Sequence, residues 1–170
     1  MRFVFLFSFL LLTSSSIFAQ TEYTISPDPK DPKVLVFKGV LSRQVLQNEP
    51  SFSWYTSGVD SYKPHAKLLS ALEHPDSTLH FLIFGGTWCD DTQFILPRFL
   101  KALQTANFPD SAITILGVDR NKKTIGDISG AFQITHVPTI IVMKNGAEAG
   151  RVVEYGKTGV WDAELAGFIQ

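Results

Sequence analysis

The sequence predicts an α/β domain built on a mixed β-sheet with helices on both faces. Three observations carry that expectation. Short apolar runs alternate with amphipathic stretches from residue 63 onward, the last two runs flank the turn Lys144-Asn145-Gly146, and an apolar helical face closes the chain. At 170 residues, 45% of them hydrophobic, the chain is long enough for one domain with a core of its own. A net charge of −1 and the lack of any Lys/Arg-rich run argue against nucleic acid as a partner.

The elements follow in order. Arg2 precedes an apolar run over residues 3–12, broken only by Ser8, and a serine-rich stretch ends at Ala19. That pattern predicts a secretory signal peptide over residues 1–19, cut after Ala19, and so an exported protein, periplasmic or secreted. The run is shorter than the roughly 20 apolar residues a span needs, so no membrane association is expected after cleavage. Residues 20–33 are polar and carry Pro27, Pro29 and Pro32, which predicts an extended lead-in without packing. A short strand over 34–37 and one or two helical turns over 42–49 come next. Phe52, Trp54 and Tyr55 form an aromatic patch expected to tuck residues 20–62, as an N-terminal extension, onto a domain spanning 63–170.

Within that domain, Pro64 opens a helix whose inner face is Ala66, Leu69, Ala71 and Leu72. Residues 79–84 form a central strand, apolar on both faces. The turn Gly85-Gly86-Thr87 leads into a helix over 89–106, where Ile95, Phe99 and Leu103 recur every four residues beside Leu96 and Leu100. A strand over 113–118, a weaker helix over 122–132 and strands over 139–143 and 151–155 follow. Trp161, Leu165, Phe168 and Ile169 give the last helix its buried face.

The chain contains one cysteine, Cys89. An intramolecular disulfide and a cysteine-built zinc cage are both impossible, and neither a metal site nor a cofactor is predicted. A cysteine at a helix N-terminus faces unpaired amides and the positive end of the helix dipole, which favour its thiolate. The Thr92 hydroxyl, three residues on, can turn back toward the sulfur. Asp90 and Asp91 oppose the thiolate by like charge, and their simplest role is to stabilise the helix N-terminus. His65 and His74 fall on a surface helix and His80 in a strand; His136 falls on the loop flanking Cys89, where a Cys/His pair could activate the thiol but a solvent-facing ring is the ordinary outcome.

Several motifs agree on one family. Trp88-Cys89 joins a strand to a helix, and Pro97 lies eight residues along that helix. Val137-Pro138-Thr139 opens the next strand, Lys144-Asn145-Gly146 makes the hairpin, and Gly156 precedes the last helix. In this order they resemble the thioredoxin superfamily over about residues 79–170. The resemblance implies a thioredoxin-like fold with Cys89 as nucleophile. It also implies a cis Pro138 that brings the Val137 backbone alongside to pair with an extended substrate, and Trp88 flanking the groove. Three positions depart from the family pattern. Thr92 replaces the second cysteine, Ile83 replaces the buried carboxylate six residues before the first, and Ile115 stands where that acid's lysine partner belongs.

The function expected first is monothiol thiol–disulfide exchange, with Cys89 and Thr92 as catalytic candidates and Trp88, Val137 and Pro138 as substrate-binding candidates. Lacking a resolving cysteine, the chain suits isomerisation or removal of small-thiol adducts better than net reduction. Its partners would be disulfide- or thiol-bearing exported proteins or small thiols. One alternative is a redox-inactive scaffold that holds a peptide beside Pro138, Trp88 and Trp54. Another is a thiol peroxidase, because glutathione peroxidases carry a similar Cys-x-x-Thr string. The missing Trp-Asn pair and the positions of Gln93, Gln104 and Gln133 speak against it.

Overall fold

The computed structural model describes residues 22–170, so the expected signal peptide and its cleavage point lie outside the described residues. The elements run β1 (Tyr23–Pro27), β2 (Leu35–Leu41), α1 (Arg43–Asn48), α2 (Ser53–Ser61), α3 (Ala66–Leu72), β3 (His80–Gly85), α4 (Asp90–Thr105), β4 (Ile113–Gly117), α5 (Ile128–Ala131), β5 (Thr139–Lys144), β6 (Ala147–Val153) and α6 (Trp161–Ile169). The strands make one sheet in the order β1-β2-β4-β3-β5-β6. β3 and β4 pair in parallel, which needs a crossover, and α4 supplies it. The remaining neighbours pair antiparallel, so the sheet is mixed, as the sequence predicts.

Strand alternation divides the core into two layers. Phe81, Ile83, Ile115, Ile140 and Val142 point into the larger one, which also receives the buried faces of α1, α2, α3, α4 and α6. Phe84, Leu116, Ile141 and Val118 point the other way, toward Ile134, Val137 and the single turn of α5. At the centre of the first layer Phe81 sits edge-on to Phe99 and Phe108, with ring centroids 5.0 and 5.1 Å away. Helices therefore cover both faces, but unequally.

Four expectations are corrected. Residues 20–33 are not a lead-in without packing: within them β1 pairs with β2 from Tyr23↔Gly39 to Pro27↔Leu35. The 20–62 segment thus adds two strands to the sheet of the domain it was expected to lie upon. Prolines hid β1, yet Pro27 takes the last position of an edge strand, where no ladder N–H is required. The helix over 122–132 shrinks to α5, because Lys122 and Gly126 have left-handed backbones (φ 59° and 55°). The Asp119 carboxylate also draws the Asn121 and Lys123 amides into a loop.

The other two corrections concern phase. α3 starts after Pro64, with extended His65 as its cap accepting from the Lys67 amide. That start buries Leu68, Ala71 and Leu72, leaving Ala66 exposed and Leu69 half-buried. β6 starts at Ala147, directly after a turn with left-handed Asn145 and Gly146, and it ends at Val153. Glu154 turns left-handed (φ 52°), which takes Tyr155 out of the strand and toward the α4 N-terminus.

Candidate functional site

Cys89 is the N-cap of α4, with extended backbone (φ −103°, ψ 122°), and its side chain is half-buried. The thiol donates to the Val137 carbonyl at 3.2 Å. It takes no capping hydrogen bond from the amides of α4, so the sulfur faces the loop before β5 and is not tucked under the helix. Val137 is buried, and the Val137–Pro138 peptide bond is cis. The Pro138 carbonyl accepts from the Glu154 amide at 2.7 Å, tying this loop to the turn after β6. The structure thus brings Cys89, Val137 and Pro138 together.

Thr92 is elsewhere engaged. Its Oγ1 is buried and accepts from the Gly86 amide at 3.2 Å, and its methyl lies where a Gly85 side chain would stand. The expected hydroxyl-to-sulfur contact is therefore replaced by a bond that satisfies a buried turn amide. Gln93 likewise serves the turn, donating through Nε2 to the Thr87 carbonyl at 2.8 Å. Neither side chain addresses the sulfur.

Ile83 pairs in parallel register with Ile115, and both are buried in the larger layer, opposite the one that Trp88 and Cys89 pack against. Hydrocarbon occupies the place of an acid–lysine pair, so no proton acceptor lies there. His136 is exposed on its loop, with Nδ1 against the Thr135 hydroxyl at 3.0 Å. His80 is half-buried against the Thr114 hydroxyl at 2.9 Å, and burial holds its pKa below the usual value. Among the described residues no group of three or more His, Cys, Asp or Glu side chains is placed to hold a metal ion.

Sequence reasoning missed Tyr155 and Phe94. Their rings lie 5.9 Å apart and are both substantially exposed. Tyr155's phenol is pushed above its ordinary pKa by its partial burial and by the Asp91 carboxylate. Trp54, a groove candidate from sequence, instead packs on Phe52 at 5.0 Å in the larger layer. Trp88 belongs with Cys89 on the opposite layer.

The N-terminal strands brace the site directly. Thr87 is buried, donates to the Leu35 carbonyl at 2.6 Å and accepts from the Phe37 amide at 3.1 Å. Trp88 Nε1 donates to the Val118 carbonyl at 2.9 Å, and the Arg120 guanidinium lies 4.4 Å from its ring centroid. Arg120 in turn grips Asp28, a buried carboxylate in the β1–β2 loop, with a closest approach of 2.7 Å.

That pair predicts an acid response. Hydrogen bonding from Arg120 outweighs burial and holds the Asp28 carboxyl below its ordinary value of 3.8. A carboxyl so depressed adds stability that is complete above about pH 4 and is lost as pH falls through the folded value. Urea unfolding across pH 2–6 is expected to show a shallower acid loss in Asp28→Asn than in the wild type. Equal slopes would show that the pair contributes nothing to acid lability.

The thioredoxin family model matches residues 65–165, more than half of the chain. The chain belongs to the thioredoxin family. A thioredoxin of Mycoplasma genitalium is 33% identical over 72 residues, covering 42% of this chain and 65% of that protein. A protein disulfide-isomerase of Hordeum vulgare is 29% identical over 90 residues, covering 47% of this chain and 18% of that one. The chain thus spans less than two thirds of the length of either relative. The structure of mitochondrial thioredoxin 3 from Saccharomyces cerevisiae aligns with TM-score 0.40 and 18% identity, covering 69% of this chain and 97% of that one. In this thioredoxin-family member, the family match begins at residue 65, after β1, β2, α1 and α2.

Proposed function

We propose that this protein is an exported monothiol thiol–disulfide exchange protein acting through Cys89. The observation that supports it is the half-buried Cys89 at the start of α4, its sulfur beside the Val137 backbone. The Cys89 thiolate attacks one sulfur of a client disulfide, a new S–S bond forms to Cys89, and the other client sulfur leaves as a thiolate. With no second cysteine in the chain, the mixed disulfide is released by another thiolate of the client or by an external small thiol. Release by the client rearranges its disulfides with no net electron transfer. Val137 and Pro138 present backbone to an extended client segment, and Trp88 walls the groove.

The test is adduct trapping. The protein with residues 1–19 removed, incubated with a disulfide-bearing peptide, is expected to accumulate a covalent adduct seen by mass spectrometry. The adduct should be absent in Cys89→Ser and reversed by added thiol. No adduct with the wild type overturns the reading. A second reading draws on Thr92 and the Ile83–Ile115 pair, since neither serves the thiol. It is a peptide-holding scaffold without chemistry, and peptide affinity undiminished in Cys89→Ser, with no wild-type adduct, would favour it.

A further inference from the structure

We infer that Asp28 and Arg120 are positioning residues: through them the β1–β2 hairpin fixes the Trp88 indole beside Cys89. The inference extends the exchange reading, which gives that indole its use as a groove wall. The β1–β2 loop is closed by the Asp28 amide on the Val34 carbonyl at 2.8 Å and the Val34 amide on the Asp31 carbonyl at 2.9 Å. It delivers the Asp28 carboxylate, 1% exposed, to the active-site end of the sheet. That carboxylate accepts from Arg120 Nε at 3.1 and 2.9 Å and from the Lys30 amide at 2.7 Å. Its partners are the guanidinium and its own loop, so a charge is buried there to hold an arginine.

The arginine held this way lies over Trp88. A guanidinium anchored on two carboxylate oxygens is fixed in plane and position, whereas a free one samples solvent. The indole is restrained on three sides. Arg120 covers a ring face, Val118 holds Nε1, and Gly86 comes so close that a Cβ there would lie 2.6 Å from the ring. Lys122 adds a second cation 5.8 Å from the ring centroid and donates to the Arg120 carbonyl. Trp88 and Cys89 pack against the same cluster, so the order of the hairpin reaches the surface that a bound segment would touch.

The experiment uses protein labelled with 5-fluorotryptophan, whose three tryptophans give three fluorine resonances, with Trp88 assigned by Trp88→Phe. Asp28→Asn and Arg120→Met are expected to shift or broaden the Trp88 resonance while leaving those of Trp54 and Trp161 in place. Alkylation of Cys89 by iodoacetamide should quicken at least about twofold in both. Arg120→Lys keeps a cation on Asp28 but has no planar face, so it should recover thermal stability without recovering the Trp88 signal. A purely structural pair would move stability and leave both Trp88 and the alkylation rate unchanged, and that result overturns the inference. If a single variant does not fold, Asp28→Asn/Arg120→Met leaves no unpaired buried charge and is read by the same criteria. A wild type that forms no peptide adduct, with the Trp88 resonance still moved by Asp28→Asn, would sink the exchange reading and uphold this one.

Discussion

Replacing Ile83 by aspartate is expected to destabilise the protein at pH 7 by at least about 3 kcal/mol. Ile83 is fully buried, and its neighbour in parallel register is Ile115. A carboxylate placed there leaves water for hydrocarbon, without the lysine partner that the family pattern supplies. Burial raises the pKa of such an acid, so the folded state holds its proton more tightly than the unfolded chain does. The variant's stability is therefore highest in acid and falls as pH rises through the unfolded value near 3.9 toward the raised folded one. Urea unfolding at pH 4 and pH 7 should show the deficit relative to wild type widening with pH. An equal deficit at both would mean that the new side chain reaches water. Adding Ile115→Lys should recover part of the loss at pH 7 by pairing the charge. What Ile83 gives up is the acid of the family pattern, and what it keeps is a dry, well-packed layer.

Thr92→Cys should shorten the life of the adduct that the proposed exchange forms at Cys89. The Thr92 side chain is buried under the turn that carries Cys89, one helical turn from the sulfur. Side chains three apart at a helix start are neighbours, so a Cys89 sulfur that leaves the Val137 carbonyl turns toward position 92. A thiol there attacks the Cys89–client bond intramolecularly, at an effective concentration of millimolar or more. Adduct lifetime without added thiol is expected to fall at least about a hundredfold, with an internal disulfide appearing as the client departs. An adduct as persistent as the wild type's would show that position 92 cannot reach the sulfur. The same substitution loses the hydroxyl's bond to the Gly86 amide, at about 1 kcal/mol of stability.

The two positions show where sequence reasoning succeeded and stopped. The departures at Thr92 and Ile83 were legible because they sit at fixed spacings from Cys89 on one continuous strand, turn and helix. The Ile83–Ile115 juxtaposition was legible too, since both strands announce themselves by apolar runs. Thr92's actual hydrogen bond was not, because a hydroxyl near both a sulfur and a turn amide goes to whichever is buried and unsatisfied. Asp28 gave no signal at all. It looks like one more polar residue between prolines, and its partner lies 92 positions away.

By itself the sequence determined the sheet-and-helix alternation, the strand–helix junction that carries Cys89, and the absence of a second cysteine from the chain. These are local or counted properties, set by side-chain periodicity and composition. Tertiary structure alone decided that β1 and β2 join the sheet, that the thiol turns to Val137, and that Asp28 reaches Arg120 over Trp88. Those contacts depend on strand order, and strand order comes from the packing of both layers at once, which no single stretch of chain encodes.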